Sequence, residues 1–463
     1  MPLIRDHWAS RLGFVFAAAG SAVGLGNLWK FPYITWHNNG GAFVLIYLVC
    51  VAAIGLPIMM SEILMGRRTQ ESPVPAFQIL GNKWWGSVGF LGVLTGFVIL
   101  GYYSVIAGWS IRSFVQCVGW SFNGYVAPPD TAFGDFLADA PMQLLLSVIF
   151  LLSTAVIIWR GVSKGIEQAA KILMPILLLI MAYLVIRVLF LPGLGQTMSF
   201  LFRPNFSELP ATGVLEALGH AFFTLSLGMG VMITYGSYMH KSESVFRSSL
   251  IVVFLDTLIA LLACVIMYTI IFSVAGLAET IDTHKSTVGM LFVTLPRLFY
   301  TELSGGILIG PLFYVLVAFA ALTSTISLLE VIVSFFIDKV GIKRHTATMI
   351  SCGIVLISMY FSALSLGAVG FLSNFELFAA KPGVLSTLDH LAANWMLPIG
   401  GLLTTIFVGW VVSKRISAEE LGMLDASGNP TASFKLWQFF IRFIAPLAIL
   451  AVIIAVIFGK DFS

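Results

Sequence analysis

Long apolar stretches alternate with short polar connections along almost the whole chain. An α-helix needs about 20 apolar residues to cross the hydrocarbon core of a bilayer. Stretches of roughly that length occur at about 12–36, 42–66, 88–118, 143–159, 168–191, 212–239, 248–276, 307–337, 346–369, 386–413 and 434–458. This pattern predicts an all-α integral membrane protein with about 11 transmembrane helices that form a single domain over residues 1–463.

Two of these stretches are interrupted near their middle by glycines and polar residues. The first interruption is residues 20–27 (GSAVGLGN), and the second is residues 224–230 (TLSLGMG). Backbone amides and carbonyls left open in lipid are costly unless they line a cavity in the protein. Interruptions in two corresponding helices therefore predict an ion and substrate site near the membrane midplane, which is typical of transporters.

Each of the two interrupted stretches is the first helix in a set of five predicted helices. Because five is an odd number, the second set enters the membrane from the opposite side, which predicts an inverted repeat over about 11–191 and 211–414. The helix at about 434–458 lies outside this repeat. Close packing of small residues is an alternative explanation for the glycines, and a signal peptide is an alternative for the N-terminal stretch. The apolar segment continues past its glycines to Trp36, which favours a first transmembrane helix.

Composition narrows the possible functions. Hydrophobic residues make up 59% of the sequence and charged residues 10%, and the net charge is only +3, so a nucleic-acid partner is not expected. The four cysteines lie inside predicted helices and are expected to pack there rather than to form disulfides or a metal site. No nucleophile–base pair or metal-ligand cluster occurs in the predicted helices, so the sequence does not predict an enzyme.

Basic residues predict how the chain is oriented in the membrane. Most lysines and arginines fall on the cytoplasmic side when the N-terminus is placed there, as the positive-inside rule requires. The connection at 121–140 instead carries Asp130, Asp135 and Asp139 and no basic residue. We therefore expect a cytoplasmic N-terminus, and eleven helices then place the C-terminus outside.

Polar side chains inside predicted helices are candidates for binding ions or substrate. Asp256 lies among aliphatic residues, where a carboxylate is costly and is expected to pair with a cation. The hydroxyls at 323–325 and Ser327 offer oxygen ligands, although such hydroxyls often bond to carbonyls one turn earlier. Glu62 lies near the end of its helix, where water or Arg67 could satisfy it.

Other positions leave two interpretations open. Tyr103, with its neighbour Tyr102, either supplies a ring and a hydroxyl to a pocket or simply packs. Gly165 and Pro175 bracket the start of the fifth helix, which either unwinds there or only kinks. Glu330 is a further acid inside a predicted helix.

Together these residues resemble the neurotransmitter:sodium symporter family, in particular its bacterial amino-acid transporters. The shared motifs are RDHW at 5–8, RLG at 11–13, GSAVGLGN at 20–27, FP at 31–32, GGAF at 40–43, FFTLSLG at 222–228 and LTS at 322–324. The resemblance implies a five-plus-five inverted-repeat fold in a bacterial inner membrane, with helices 1 and 6 unwound at the midplane. It also implies alternating access that couples amino-acid uptake to two sodium ions.

The resemblance further implies which residues bind. The substrate pocket would consist of Ala22, Gly24, Gly26, Ile99, Tyr103, Phe223, Thr224, Ser226, Gly228, Met229, Ser324 and Leu328. The first sodium ion would be bound by Ala22, Asn27, Thr224 and Asp256, and the second by Gly20, Val23, Ala320, Thr323 and Ser324. An outer gate would pair Lys30 with Asp389, and an inner gate would pair Arg5 with Asp338 beside Trp8 and Tyr238.

Departures from the family pattern narrow the expected substrate. Gly24 stands where monoamine-transporting relatives have an aspartate, so the ligand must bring its own carboxylate, as an amino acid does. Lys30 replaces the usual arginine, so the outer gate lacks the paired hydrogen bonds that a guanidinium group makes with a carboxylate. Met229 replaces a phenylalanine and gives a more adaptable wall. Relatives with Gly-Met-Gly here and a spacing like that of Gly165 and Pro175 accept bulky or aromatic amino acids, which is the class expected here.

Asp256 is the clearest departure. Chloride-dependent relatives have an uncharged residue here and bind an anion near a serine one turn on, where this chain has Ala260. The two positions are four residues apart and share a helix face. The hypothesis is that Asp256 both ligates sodium and supplies the negative charge that chloride supplies elsewhere.

The sequence therefore predicts a sodium-coupled symporter for a hydrophobic, bulky or aromatic amino acid, independent of chloride and surrounded by membrane lipid. Proton coupling through Asp256 is one alternative. An amino-acid sensor that binds without transport is another. The pattern gives no indication of an oligomeric state.

Overall fold

The computed structural model describes residues 6–274, 289–303, 305–379 and 381–461, and within these ranges the regular structure is helical. The principal helices, numbered in chain order, are α1 (Arg11–Ala22), α2 (Gly26–His37), α3 (Gly41–Thr69), α4 (Lys83–Asn123), α5 (Ala140–Trp159), α6 (Val162–Val188), α7 (Ala211–Thr224), α8 (Val231–Ser237), α9 (Val245–Ser273), α10 (Gly306–Val340), α11 (Arg344–Leu364), α12 (Val384–Val411) and α13 (Ala432–Ile457). Shorter helices are Pro73–Leu80, Ala132–Ala138, Leu194–Phe202, Met290–Thr294, Leu295–Thr301, Gly370–Ser373 and Lys414–Leu421.

The first predicted interruption is a bend between α1 and α2. The hydroxyl of Ser10 caps α1 by accepting a hydrogen bond from the amide of Gly13, as serine does at many helix starts. After α1 the chain turns, and α2 continues at an angle of 48°. The amides of Gly24 and Leu25 bond to side chains rather than to helical carbonyls. The middle of this span therefore presents backbone groups to its neighbours.

The second predicted interruption separates α7 from α8. Ser226, Gly228 and Gly230 have φ angles of 54°, 77° and 76°, in the left-handed region that glycine adopts without steric cost. A Cβ atom on Gly228 would also lie 2.6 Å from the carbonyl oxygen of Leu397 in α12. Glycine is thus required there both by the backbone angle and by the close approach of α12.

The predicted spans correspond to helices in the structure. Within the described ranges, nine helices are long and apolar enough to cross a membrane, namely α3–α6 and α9–α13, and the bent pair α1 and α2 gives a tenth. The sixth predicted stretch corresponds to α7 and α8, which the break at 225–230 divides into two shorter pieces. The protein is therefore an all-α, multi-pass membrane protein.

The fifth predicted helix does not unwind. α6 runs continuously from Val162 to Val188 with Pro175 inside it. A Cβ atom on Gly165 would lie 2.1 Å from the carbonyl oxygen of Ile157 in α5. Gly165 therefore allows the tight turn between α5 and α6. Of the two interpretations of this segment, the structure has the continuous helix and not the unwound one.

The interrupted helices lie at the centre of the bundle. α1 packs against α6, α9 and α10, α8 packs along α3, and α4 packs along α10. Small residues permit these approaches, because a Cβ atom on Gly66 in α3 would lie 1.9 Å from the carbonyl oxygen of Ile233 in α8. The broken backbone segments are thus enclosed by protein rather than by lipid, as unsatisfied backbone groups require.

Candidate functional site

A small central pocket lies where the two interruptions meet α4 and α10. Its volume is about 30 Å³, which is room for about two water molecules. The lining residues are Ser21, Ala22, Gly24, Gly26, Ile99, Tyr103, Phe223, Thr224, Ser226, Met229, Ser324, Ser327 and Leu328. Eleven of the twelve predicted substrate residues are among them, and Gly228 is the exception.

Four serines of this lining are connected. The hydroxyl of Ser21 donates to Oγ of Ser327 at 2.7 Å, and the hydroxyl of Ser226 donates to the carbonyl oxygen of Ser21 at 3.1 Å. Oγ of Ser324 lies 3.3 Å from the same carbonyl oxygen. These contacts tie α1, the second interruption and α10 together. Ser21 and Ser327 were not among the predicted substrate residues, although Ser21 lies inside the first interruption and Ser327 was a candidate hydroxyl.

Groups around Gly24 form a polar corner of the pocket. The hydroxyl of Tyr103 accepts a hydrogen bond from the amide of Leu25 at 3.1 Å. A Cβ atom on Gly24 would lie 2.6 Å from Oγ of Ser324 and 3.0 Å from the hydroxyl oxygen of Tyr103. Only glycine leaves this corner open. The start of α2 adds a positive dipole end, so the corner suits a carboxylate.

Asn27, Thr224 and Asp256 form a connected polar group beside the pocket. The side-chain amide of Asn27 donates to Oδ1 of Asp256 at 2.8 Å, and the hydroxyl of Thr224 donates to the same oxygen at 2.9 Å. Asn27 Oδ1 also accepts from the amide of Gly24 at 3.1 Å. Asp256 Oδ2 is buried and accepts no hydrogen bond of normal geometry from a described residue, although the hydroxyl of Tyr47 lies beside this carboxylate. A buried anionic oxygen without a donor suits a cation such as sodium.

The residues of the second predicted ion site lie where α1 meets α10. A Cβ atom on Gly20 would lie only 3.0 Å from Cβ of Thr323. The hydroxyls of Thr323 and Ser324 lie 3.0 Å and 3.2 Å from the carbonyl oxygen of Ala320, and Val23 forms the end of α1. These hydroxyls therefore do bond to a carbonyl one turn earlier, which was one of the two possibilities that the sequence left open. The close approach of α1 and α10 is present as well.

A larger cavity of about 250 Å³ lies on the α2 side of the central pocket. Its charged and aromatic lining includes Trp29, Lys30, Tyr33, Tyr102, Glu216, His220, Asp389 and Asp461. Gly26, Tyr103 and Phe223 line both spaces, and Nζ of Lys30 lies 5.3 Å from the centre of the Phe223 ring. Phe223 is thus one of three residues between the large cavity and the central pocket, and both predicted outer-gate residues, Lys30 and Asp389, line the large cavity.

The helices are tightly packed on the other side of the central pocket. Trp8 is 1% exposed, and its amide donates to the carbonyl oxygen of Tyr238 at 3.1 Å. Asp338 Oδ2 accepts from the amide of Ser72 at 2.7 Å. Arg5, the expected partner of Asp338, lies outside the described residues, so that pair stays a prediction. Trp8 and Tyr238 do lie together, as expected for this side.

A buried ion pair on the same side was not predicted. Arg344, the first residue of α11, donates to both carboxylate oxygens of Glu330 in α10, each at 2.8 Å. The hydroxyl of Tyr238 donates to Oε1 of Glu330 at 2.6 Å. Glu330 is 0% exposed, so its charge is balanced entirely by these neighbours. The sequence identified the acid but not the cation, which belongs to the next helix.

Replacing Arg344 with glutamine should strongly destabilise the protein. The change leaves a buried carboxylate without its cation, which typically costs about 3–5 kcal/mol. We expect a lower midpoint of thermal unfolding in detergent, followed by tryptophan fluorescence. The double variant Glu330→Gln/Arg344→Gln should recover part of the loss because no charge is left unpaired. Arg415→Gln, at a side chain 84% exposed, is the control, and a wild-type midpoint for Arg344→Gln would contradict the role given to the pair.

Glu62 corrects one expectation. It is 1% exposed, and Oε1 accepts from the amide of Gly228 at 2.7 Å, so it is neither solvated nor paired with Arg67. Arg67 instead donates to Oε2 of Glu420 at 2.8 Å. Glu62 therefore binds the backbone of the second interruption, and Gly228 contributes to that bond rather than to the pocket lining.

Known proteins are similar to this chain in sequence and in fold. The chain matches the sodium:neurotransmitter symporter family over residues 5–124 and 137–461. It is 35% identical over 453 residues to the uncharacterized sodium-dependent transporter YhdH of Bacillus subtilis, covering 97% of each chain. It is 30% identical over 469 residues to an uncharacterized sodium-dependent transporter of Haemophilus influenzae, covering 98% of each chain. The crystal structure of MhsT in complex with L-phenylalanine matches with a TM-score of 0.87 and 37% identity, over 98% of this chain and 100% of that one.

Proposed function

The chain belongs to the sodium:neurotransmitter symporter family, and on this premise we propose that it couples uptake of a bulky or aromatic amino acid to the entry of two sodium ions. It is a transporter and not an enzyme. In the proposal it lies in a bacterial inner membrane with its N-terminus in the cytoplasm. The large cavity then faces outward, and the side that Trp8 closes faces the cytoplasm.

The observation that carries the proposal is the set of bonds made by Asn27. Its carbonyl oxygen accepts from the amide of Gly24, at the corner that suits a carboxylate, and its amide donates to Asp256. The second oxygen of Asp256 is buried, and no donor bonds to it with normal geometry. One side chain thus joins a candidate anion site to a candidate cation site. A zwitterionic substrate that brings its carboxylate next to a sodium ion fits this arrangement.

Each group of residues has a role in the proposal. The substrate carboxylate binds the hydroxyl of Tyr103 and the backbone around Gly24, and the substrate side chain lies toward Phe223 and Met229. The first sodium ion binds Ala22, Asn27, Thr224, Asp256 and the substrate carboxylate. The second binds Gly20, Val23, Ala320, Thr323 and Ser324 between α1 and α10.

The proposed substrate size depends on movement of Phe223. A volume of about 30 Å³ holds water but no amino acid. Phe223 lines both this pocket and the cavity of about 250 Å³. In the proposal, displacement of its ring joins the two spaces and admits a large side chain. Met229 supplies a flexible wall. The relative MhsT, 37% identical, has been crystallised with L-phenylalanine, which supports an aromatic substrate for this chain.

Chloride independence follows from the charge of Asp256 in the proposal. Asp256 Oδ2 lies at the first ion site, and Ala260, one turn further along α9, has no group that could bind an anion. A carboxylate fixed on this helix face supplies the negative charge that balances sodium. No anion is then needed to complete the site.

Two sodium ions provide enough free energy for concentrative uptake. With a membrane potential of ~100 mV and an assumed tenfold sodium gradient, each ion contributes about 3.7 kcal/mol. Two ions supply roughly 7 kcal/mol, which corresponds to about a 10⁵-fold amino-acid gradient at ideal coupling.

Uptake into proteoliposomes tests the proposal directly. We expect radiolabelled L-phenylalanine to accumulate with a sodium gradient, faster with a negative interior, and not with choline in place of sodium. A competition panel of natural amino acids should rank bulky and aromatic side chains first. Accumulation driven by a pH gradient without sodium would favour proton coupling instead. Saturable binding without accumulation would favour a sensor.

A further inference from the structure

The segment that follows α13 turns back toward the large cavity. Gly459 has a φ angle of 84°. Its amide donates to the carbonyl oxygen of Val456 at 2.9 Å, and the amide of Lys460 donates to the carbonyl oxygen of Ala455 at 3.0 Å. This pair of bonds is a Schellman motif, which turns the chain sharply at a helix end. The turn brings the side chain of Asp461 into the lining of the large cavity.

Side chains from α12 and from the connection before it contact the carboxylate of Asp461. Lys381, in the connection before α12, forms an ion pair with it. Asn394 donates to Oδ1 of Asp461 at 2.7 Å, and Nδ1 of His390 lies 3.3 Å from the same oxygen. His390 and Asn394 are four residues apart on α12 and therefore lie on one face. The carboxylate thus links the end of α13 to two successive turns of α12.

The same part of α12 carries the outer-gate acid. Asp389 directly precedes His390, so the contacts of Asp461 restrain the turn from which the Asp389 side chain extends. Asp389 and Asp461 both line the cavity that Lys30 lines from α2. Lys30 therefore shares its cavity with two carboxylates, one from α12 and one from the segment after α13.

We propose that Asp461 is a positioning residue of the outer gate. Held by Lys381, His390 and Asn394, it fixes the turn that carries Asp389 on the wall that must close against Lys30. This inference rests on the proposed transport function. Because closure of the gate retains bound substrate, loss of the Asp461 charge should raise KM for uptake and leave the maximal rate and the amount of folded protein unchanged.

The test combines Asp461→Asn with Lys381→Gln in proteoliposome uptake of L-phenylalanine. Each single variant should raise KM about two- to fivefold, the range expected for a partly exposed ion pair. The double variant should raise it no further than the larger single effect, since both changes break the same contact. Lys460→Gln, at the exposed neighbouring residue, is the matched control, and Asp461→Glu should retain a KM near that of the wild type.

A cysteine reporter separates a gate role from a structural one. Tyr33 lines the large cavity, so a Tyr33→Cys background can be labelled with an impermeant methanethiosulfonate. Sodium with L-phenylalanine should slow labelling, and Asp461→Asn should reduce this protection. Unchanged KM and unchanged protection in Asp461→Asn would overturn the inference. Absence of sodium-dependent uptake and protection in the unsubstituted Asp461 background would instead overturn the proposed function.

Discussion

Asp256→Asn is expected to abolish high-affinity sodium binding while leaving the fold intact. The two side chains have the same shape, and an amide oxygen can still accept from Asn27 and Thr224, which bond to Oδ1 at 2.8 Å and 2.9 Å. The variant loses the charge on buried Oδ2. At ~4 Å and an effective dielectric constant near 20, a carboxylate and a sodium ion attract by about 4 kcal/mol. Sodium affinity should therefore fall roughly 10²- to 10³-fold.

Sodium titrations of L-phenylalanine binding to purified protein measure this loss. Asp135→Asn, exposed on the short helix Ala132–Ala138, is the control for removal of one negative charge. Thermal unfolding shows whether Asp256→Asn is folded. The wild type should keep its sodium affinity when gluconate replaces chloride. Unchanged sodium affinity in Asp256→Asn would show that this carboxylate does not ligate sodium. A large loss of sodium affinity of the wild type in gluconate would contradict chloride independence.

Gly24→Ala should eliminate substrate binding. The added methyl group would lie 2.6 Å from Oγ of Ser324 and 3.0 Å from the hydroxyl oxygen of Tyr103, inside the corner assigned to the substrate carboxylate. The substrate then loses a charge-assisted hydrogen bond as well as space, so affinity should fall by about 100-fold or more. Equilibrium binding of L-phenylalanine at saturating sodium measures the effect.

Gly119→Ala is a matched control for that substitution. Gly119 lies in α4, and a Cβ atom there would have no other group within 4 Å. The control should bind L-phenylalanine as the wild type does. If Gly24→Ala also bound normally, the carboxylate corner would have to lie elsewhere.

The two interruptions could be predicted because their cause is local. A cluster of glycines weakens a helix, and backbone groups that are freed at membrane depth are tolerated only where protein or a cavity surrounds them. The structure breaks both spans within the predicted segments, with a 48° bend in the first and positive φ angles at Gly228 and Gly230 in the second. The pocket residues, by contrast, were implied by the family resemblance, and the structure places eleven of the twelve around these segments.

Contacts between helices distant in sequence could not be predicted in the same way. The sequence identified Glu330 as an acid in a span, but its pairing with Arg344 depends on how α10 and α11 are placed. Glu62 was expected to meet water or Arg67, five residues further along the chain, whereas it binds the amide of Gly228 across the bundle. Hydropathy and spacing describe one helix at a time, and crossing geometry decides which groups meet.

Asn27 also sets a thermodynamic constraint. Because its two ends bond the Gly24 amide and the Asp256 carboxylate, any shift that improves one contact is felt at the other. Coupling between two binding free energies is reciprocal. The factor by which sodium raises the affinity for an amino acid must therefore equal the factor by which that amino acid raises the affinity for sodium. Without a bound amino acid, the affinity for sodium is lower by that same factor, which would suppress ion leakage in the absence of substrate.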